Sequence, residues 1–370
     1  MSAPDTLEAG LRPVERRRSP VVASAGPNWF TAVMGTGIVA NAAVTLPVHR
    51  PELAIAAAAV WVVAVIALIA ISVVFVLQWF LMPAVARGHL AHPVMAQFYG
   101  APPMALLTVG SGALLIGPRF LGAQAAVAVD WVLWTAGTTT GLASAVVVPL
   151  WMFTHHRPAS DAAFAGWLVP LVPPMVSAAG GALLVPHTPP GQLRLSLLLF
   201  CYAEFGMSLL SSLVVIALVW LRLTRHHHGP AGLVPTLWIG LGPLGQSITA
   251  VNLLSDSSAA LPPAYSAAFG ALGVVYGVPV WGFAVLWAAF AAVMTAMTAR
   301  SHLPFSLAWW SFTFPVGTVV TGTSELAKHT HAVLFAAAAV AFYAGLVLAW
   351  ALVCVRTARA AVHGTLFRTS

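Results

Sequence analysis

The chain has 370 residues, of which 60% are apolar and only 7% charged, and its mean hydropathy is +0.91. Soluble domains carry roughly 25% charged side chains, so an ordinary water-soluble fold is excluded and most of the surface must face lipid or other helices. A formal charge of +7 would suit nucleic acid, but the basic residues sit in short segments between apolar runs, which argues against that partner.

Residues 1–26 are polar and Arg-rich, unlike the apolar stretch of a secretory signal. A bilayer core about 30 Å thick needs about 20 apolar residues per helix. Runs of that kind predict helices near 28–46, 53–80, 94–116, 124–150, 164–185, 193–221, 232–254, 264–298, 304–324 and 330–355. The expected fold is an all-α membrane protein of ten transmembrane helices. Residues 27–355 form its membrane domain, flanked by an arm over 1–26 and a tail over 356–370. Cys201 and Cys354 both lie inside apolar runs, so buried thiols rather than a disulfide are expected.

Charge placement sets the orientation. One set of connectors and both ends hold Arg12, Arg16, Arg17, Arg18, Arg87, Arg157, Arg222, Arg225, Arg300, Arg356, Arg359 and Arg368. The alternate connectors hold only Arg50, Arg119, Arg194 and Lys328, so all 16 basic residues divide 12 against 4. Cytoplasmic loops collect Lys and Arg, which predicts both termini on the cytoplasmic side of a multi-pass protein in the cell membrane.

The ten runs alternate in kind. The even ones are smooth and rich in Ala, Val and Leu, as from Ala54 to Ala70. The odd ones each open with an aromatic residue: Trp29, Phe98, Trp167, Trp238 and Trp309, at spacings of 69, 69, 71 and 71 residues. Five or six positions later comes a helix breaker: Gly35, Pro103, Pro173, Pro243 and Pro315. Five copies of one helical hairpin account for this period. Proline inside a helix removes a donor and kinks it, and broken backbone survives at membrane depth only where protein or water covers it. The five broken helices should therefore form an inner ring around a central pore, with the smooth helices outside.

The inner runs as bounded above contain neither Lys nor Arg, and no carboxylate. They carry hydroxyls after the breakers: Thr36, Thr108, Ser177, Ser247 and Thr318. Hydroxyls and helix-end dipoles without a fixed charge bind anions weakly, which suits rapid passage. The alternative is that each hydroxyl bonds its own helix backbone. Two acids, Asp130 and Glu204, fall within even spans. Proton coupling is one role for an intramembrane acid; hydrogen bonding between helices is the other. The expected function is passage of small anions as a channel or efflux permease, with a proton-coupled transporter as the alternative.

Other motifs carry no chemistry. Gly35-Thr36-Gly37 lacks the strand, turn and third glycine of a dinucleotide loop and reads as a helix interruption. His226, His227 and His228, like His155 and His156, sit in basic connectors and read as solvated loop. No metal, no cofactor and no catalytic constellation is expected.

Two segments, Pro27-Asn28-Trp29-Phe30 to Gly35-Thr36-Gly37 and Trp309-Trp310-Ser311-Phe312-Thr313-Phe314-Pro315, resemble the tellurite-resistance/dicarboxylate transporter family. That family holds bacterial tellurite-resistance proteins, plant guard-cell slow anion channels, fungal malate permeases and sulfite pumps. The resemblance covers residues 27–355. It implies ten helices in five hairpins, a pore in each protomer, often a homotrimer, and sulfite, malate or related C4-dicarboxylate anions as solutes, the proton-coupled alternative being a C4-dicarboxylate or tellurite transporter. It also implies a pore-plugging phenylalanine on the ninth helix. That match falls on Phe314, with Phe312 second. The long tails of the plant channels have no counterpart here, which argues against gating through them.

Overall fold

A computed structural model describes residues 20–48, 50–159, 161–226, 229–301 and 303–367. Arg12, Arg16, Arg17, Arg18 and Arg368, most of the 1–26 arm, and His227 and His228 lie outside the described residues.

Among the described residues there is no β-strand, and ten longer α-helices account for most of the chain. They are α1 (Phe30–Thr45), α2 (Pro51–Leu81), α3 (Ala101–Leu115), α4 (Ala123–Trp151) and α5 (Pro173–Leu184). The rest are α6 (Gln192–Arg225), α7 (Leu241–Asp256), α8 (Pro263–Ser301), α9 (Phe314–Thr330) and α10 (Val333–Val362). Among the described residues, seven helical stretches are long and apolar enough to cross a membrane: α2, Met95–Leu115, α4 with its continuation to His156, α6, Ala231–Asp256, α8 and α10. Gly122 (φ 80°) and Gly191 (φ 104°) turn the chain immediately before α4 and α6, in a left-handed conformation that glycine adopts without strain.

The helix breakers do something other than kink. Pro103, Pro173, Pro243 and Pro315 all sit within the first three residues of α3, α5, α7 and α9. A first-turn proline removes no intrahelical bond, because those N–H groups have no partner within the helix anyway. Ahead of each runs a 3-10 segment: Met95–Gly100, Ala165–Leu168, Ala231–Gly240 and Leu307–Phe312. The expected mid-helix kink is thus corrected to a 3-10 lead-in followed by a proline-started α-helix. Gly35 breaks nothing, since α1 runs uninterrupted from Phe30 to Thr45. Its missing side chain instead lets Thr313 and Trp310 close onto the helix.

Two populations of helix separate by burial. In Ala231–Asp256 89% of the most apolar window is buried, against 17% in each of α2, α8 and α10. The long helices turn outward such side chains as Ile55 (70% exposed), Val275 (70%) and Leu348 (73%), a surface suited to hydrocarbon. The short helices pack in a closed cycle: α1 on α3, α3 on α5, α5 on α7, α7 on α9, and α9 back on α1. Each also packs on the long helix that follows it. Small residues permit the closest approaches, as in membrane helices generally. A Cβ on Gly322 of α9 would lie 2.7 Å from the Gly245 carbonyl of α7.

Candidate functional site

Two cavities lie inside the cycle of short helices. The wider, about 80 Å³, is lined by all five: Asn41 of α1, Ser111 of α3, Gly180 of α5, Thr249 of α7, and Phe314, Thr321 and Glu325 of α9 among others. The narrower, about 30 Å³, is lined by the opening residues of the same helices and their lead-ins, including Thr31, Met104, Val172, Gly242 and again Phe314. One water needs roughly 10–15 Å³ of such space, so the wider has room for several and the narrower for one or two. Because the lead-ins line one cavity and the later turns the other, the five helices run in the same direction. Phe314 is 2% exposed and is the side chain the two cavities share.

The other expected site residues divide sharply. Phe312 lines neither cavity and packs its ring on Trp238 (5.8 Å between centroids) and Trp309 (5.7 Å). Pro315 lines the narrower cavity, whereas Gly35, Pro103, Pro173 and Pro243 line neither. Of the five hydroxyls only Thr108 faces a cavity, and its Oγ1 also donates to the Met104 carbonyl at 2.7 Å. The other four serve packing. Thr36 accepts from the Trp350 indole at 3.2 Å, and Ser247 donates to Leu244 O at 2.8 Å while accepting from the Tyr276 hydroxyl. Thr318 donates to Pro315 O at 2.7 Å and reaches carbonyls of α7. Ser177 joins three helices: its Oγ donates to Glu204 Oε2 at 2.8 Å and lies 2.6 Å from Thr138 Oγ1.

Sequence reasoning passed over Thr31, Ser111, Gln246, Thr249, Thr321 and Glu325. Helical period was the available signal: Phe314, Thr321 and Glu325 lie 7 and 11 residues apart, which superimposes them on one face of α9. The statement that the inner helices hold no carboxylate is corrected by Glu325. The helix carrying it continues to Thr330 instead of ending near 324.

Asp130 and Glu204 line neither cavity. Asp130 faces Gly110 of α3, where an added Cβ would meet its Oδ1 at 2.7 Å, and its buried Oδ2 has no hydrogen-bond partner. Glu204 is tied into the Ser177 bridge through Oε2, leaving Oε1 buried and unpaired. At the far end of the wider cavity, Lys328 Nζ lies 2.7 Å from Asp256 Oδ2 and 3.4 Å from Glu325 Oε2. His329 Nε2 lies 2.8 Å from Asp256 Oδ1. Asp256, Glu325 and His329 present metal-type ligand atoms within 4.8 Å of one another, but the Lys328 ammonium already supplies the positive charge there. His155 stacks on Trp151 at 3.7 Å, and His156 bonds the Ala91 carbonyl at 3.0 Å, so these two do not converge on a site.

Comparison with known proteins places the chain among transporters. A protein named sulfite efflux pump, from Arthroderma otae, is 28% identical over 89% of this chain and 88% of its own length. An uncharacterized transporter of Methanocaldococcus jannaschii is 28% identical over 92% of this chain and 95% of its own. A second sulfite efflux pump, from Trichophyton rubrum, is 27% identical over 98% and 97%. These are names of transporters, not enzymes. The profile of the voltage-dependent anion channel family matches residues 24–358. The chain therefore belongs to the voltage-dependent anion channel family, the grouping its two aromatic motifs resemble.

Proposed function

We propose that the chain passes small anions across the cell membrane along the axis enclosed by α1, α3, α5, α7 and α9, with Phe314 as the plug. The carrying observation is the placement of Phe314 between two cavities, one lined by all five short helices and the other by their opening residues or the segments that lead into them. In this reading the ten helices form five membrane-crossing hairpins, residues 27–355 make up the pore domain, and both termini are cytoplasmic. Three protomers then assemble with a pore in each. Parallel helices bring five N-terminal ends to the narrower cavity, and the positive ends of their dipoles favour an anion beside Phe314. Among the described residues no Lys or Arg lines either cavity, so binding stays weak enough for release. The names of two relatives, together with the fungal members of the family, favour sulfite as cargo and make malate the next solute to try.

Proton coupling through Asp130 and Glu204 is the competing reading, and their distance from both cavities counts against it. The purified protein in liposomes is expected to pass chloride, nitrate, sulfite or malate down their own gradients, with no drive from an imposed pH gradient. Asp130→Asn and Glu204→Gln should leave flux per folded molecule within about twofold of wild type, since neither group lines the path. Accumulation driven by a pH gradient and abolished by either substitution would replace the passive reading with a proton-coupled transporter.

A further inference from the structure

The chemistry at the wider cavity narrows the class of anion. Glu325 is the one charged side chain among the described residues lining it. It stands 11 residues beyond Phe314 on α9, about 16 Å along the helix axis. Its side chain is 9% exposed, while those of its neighbours Asp256 and Lys328 are 39% and 57% exposed. Lys328 is shared, at 2.7 Å from Asp256 and 3.4 Å from Glu325. The His329 ring is engaged with Asp256 at 2.8 Å and with the Glu325 carbonyl at 2.9 Å, and its Nδ1 lies 3.8 Å from Glu325 Oε2. Both groups thus sit closer to the Asp256 carboxylate, and the less closely paired carboxylate is the one that lines the cavity, where screening is weakest.

We propose that Glu325 is a charge filter that admits singly charged anions and rejects doubly charged ones, with Lys328 setting the strength of its field. This inference rests on the pathway reading above. Coulomb repulsion scales with the charge of the passing ion, so a dianion is opposed twice as strongly as a monoanion by the same carboxylate. For an anion with a titratable proton, sulfite and malate included, the protonated monoanion is then the transported form.

Chloride and sulfate hold fixed charges at neutral pH and serve as the probes. Their efflux from liposomes is compared at one pH, in wild type and in the Phe314→Ala background. Glu325→Gln should raise the sulfate-to-chloride ratio by about fivefold or more, Glu325→Asp should restore it, and Lys328→Met should lower it. A purely structural role for Glu325 would change yield and leave the ratio alone. An unchanged ratio in Glu325→Gln, in protein that still passes chloride, overturns the filter while sparing the pathway. If Glu325→Gln gives no folded protein, an unchanged ratio in Lys328→Met overturns it equally. Absence of flux from wild type and from Phe314→Ala alike withdraws the pathway, and the filter with it.

Discussion

Phe314→Ala is expected to raise anion flux per molecule by about tenfold or more, the equivalent of roughly 1.4 kcal/mol off the barrier. The two cavities share this ring and no other aromatic side chain. A phenyl group there fills the axis and dries it, and hydrophobic constrictions block ions by excluding water. Truncating a packed core Phe typically costs about 3–5 kcal/mol, because a void opens that the surroundings cannot fill. At Phe314 the void joins two existing cavities into a space wide enough for water to enter, so part of that cost is offset by hydration. Phe312→Ala provides the contrast. Its ring packs on Trp238 and Trp309, so its loss should lower thermal stability without raising flux. The measurement is halide efflux from liposomes, normalised to protein incorporated. Equal flux in wild type and Phe314→Ala, with a lower yield of the latter, would assign the ring to packing.

The second large effect is on assembly of the helix cycle. Gly245→Val is expected to cost about 3 kcal/mol or more, at the upper end of overpacking in a core. A Cβ at Gly245 would collide with the backbone of Val319 and Thr318 on α9, as well as with the Thr318 side chain. Backbone cannot rotate away as a side-chain tip can, so α7 and α9 must separate. Separation would also pull apart Thr249 and Thr321, whose hydroxyls lie 2.7 Å from each other. Gly282→Val is the matched control, since nothing lies within 4 Å of a Cβ built there. Size-exclusion profiles after heating in detergent should show the monodisperse peak lost first for Gly245→Val. Equal survival of the two variants would mean that α7 and α9 do not depend on this contact.

The helix positions were legible because an apolar run long enough for a bilayer has few other structures open to it. The alternation of smooth and broken runs also carried through to burial: residues such as Ile55 and Val275 face outward, while α1, α5 and α9 are buried almost throughout. What a proline does was not legible in the same way. The 3-10 lead-ins, such as Leu307–Phe312, are as apolar as helix interior, so a first-turn Pro315 looks like a mid-helix break. The hydroxyls were chosen by distance from the breaker, which ignores the helix face. Ser177 and Thr318 consequently point at neighbouring helices, whereas Thr249 and Thr321 line the wider cavity. Glu325 escaped notice because the apolar signal fades at Ser324, although the helix continues for six more residues to Thr330. Only the neighbouring end of α7, with Asp256 there to hold Lys328 and His329, makes that polar turn intelligible.

A single cysteine can show whether anions travel along the axis through both cavities. Thr321 lines the wider cavity on the same face of α9 as Phe314. With Cys201 and Cys354, the two free cysteines, replaced by Ala, Thr321→Cys is introduced into Phe314→Ala and exposed to an impermeant, charged thiol reagent. Phe120→Cys, in the connector between α3 and α4 and 64% exposed, is the matched control. The predicted result is that labelling at Thr321→Cys abolishes anion flux while complete labelling at Phe120→Cys leaves it intact. Undiminished flux through protein fully labelled at Thr321→Cys would contradict a path along this axis.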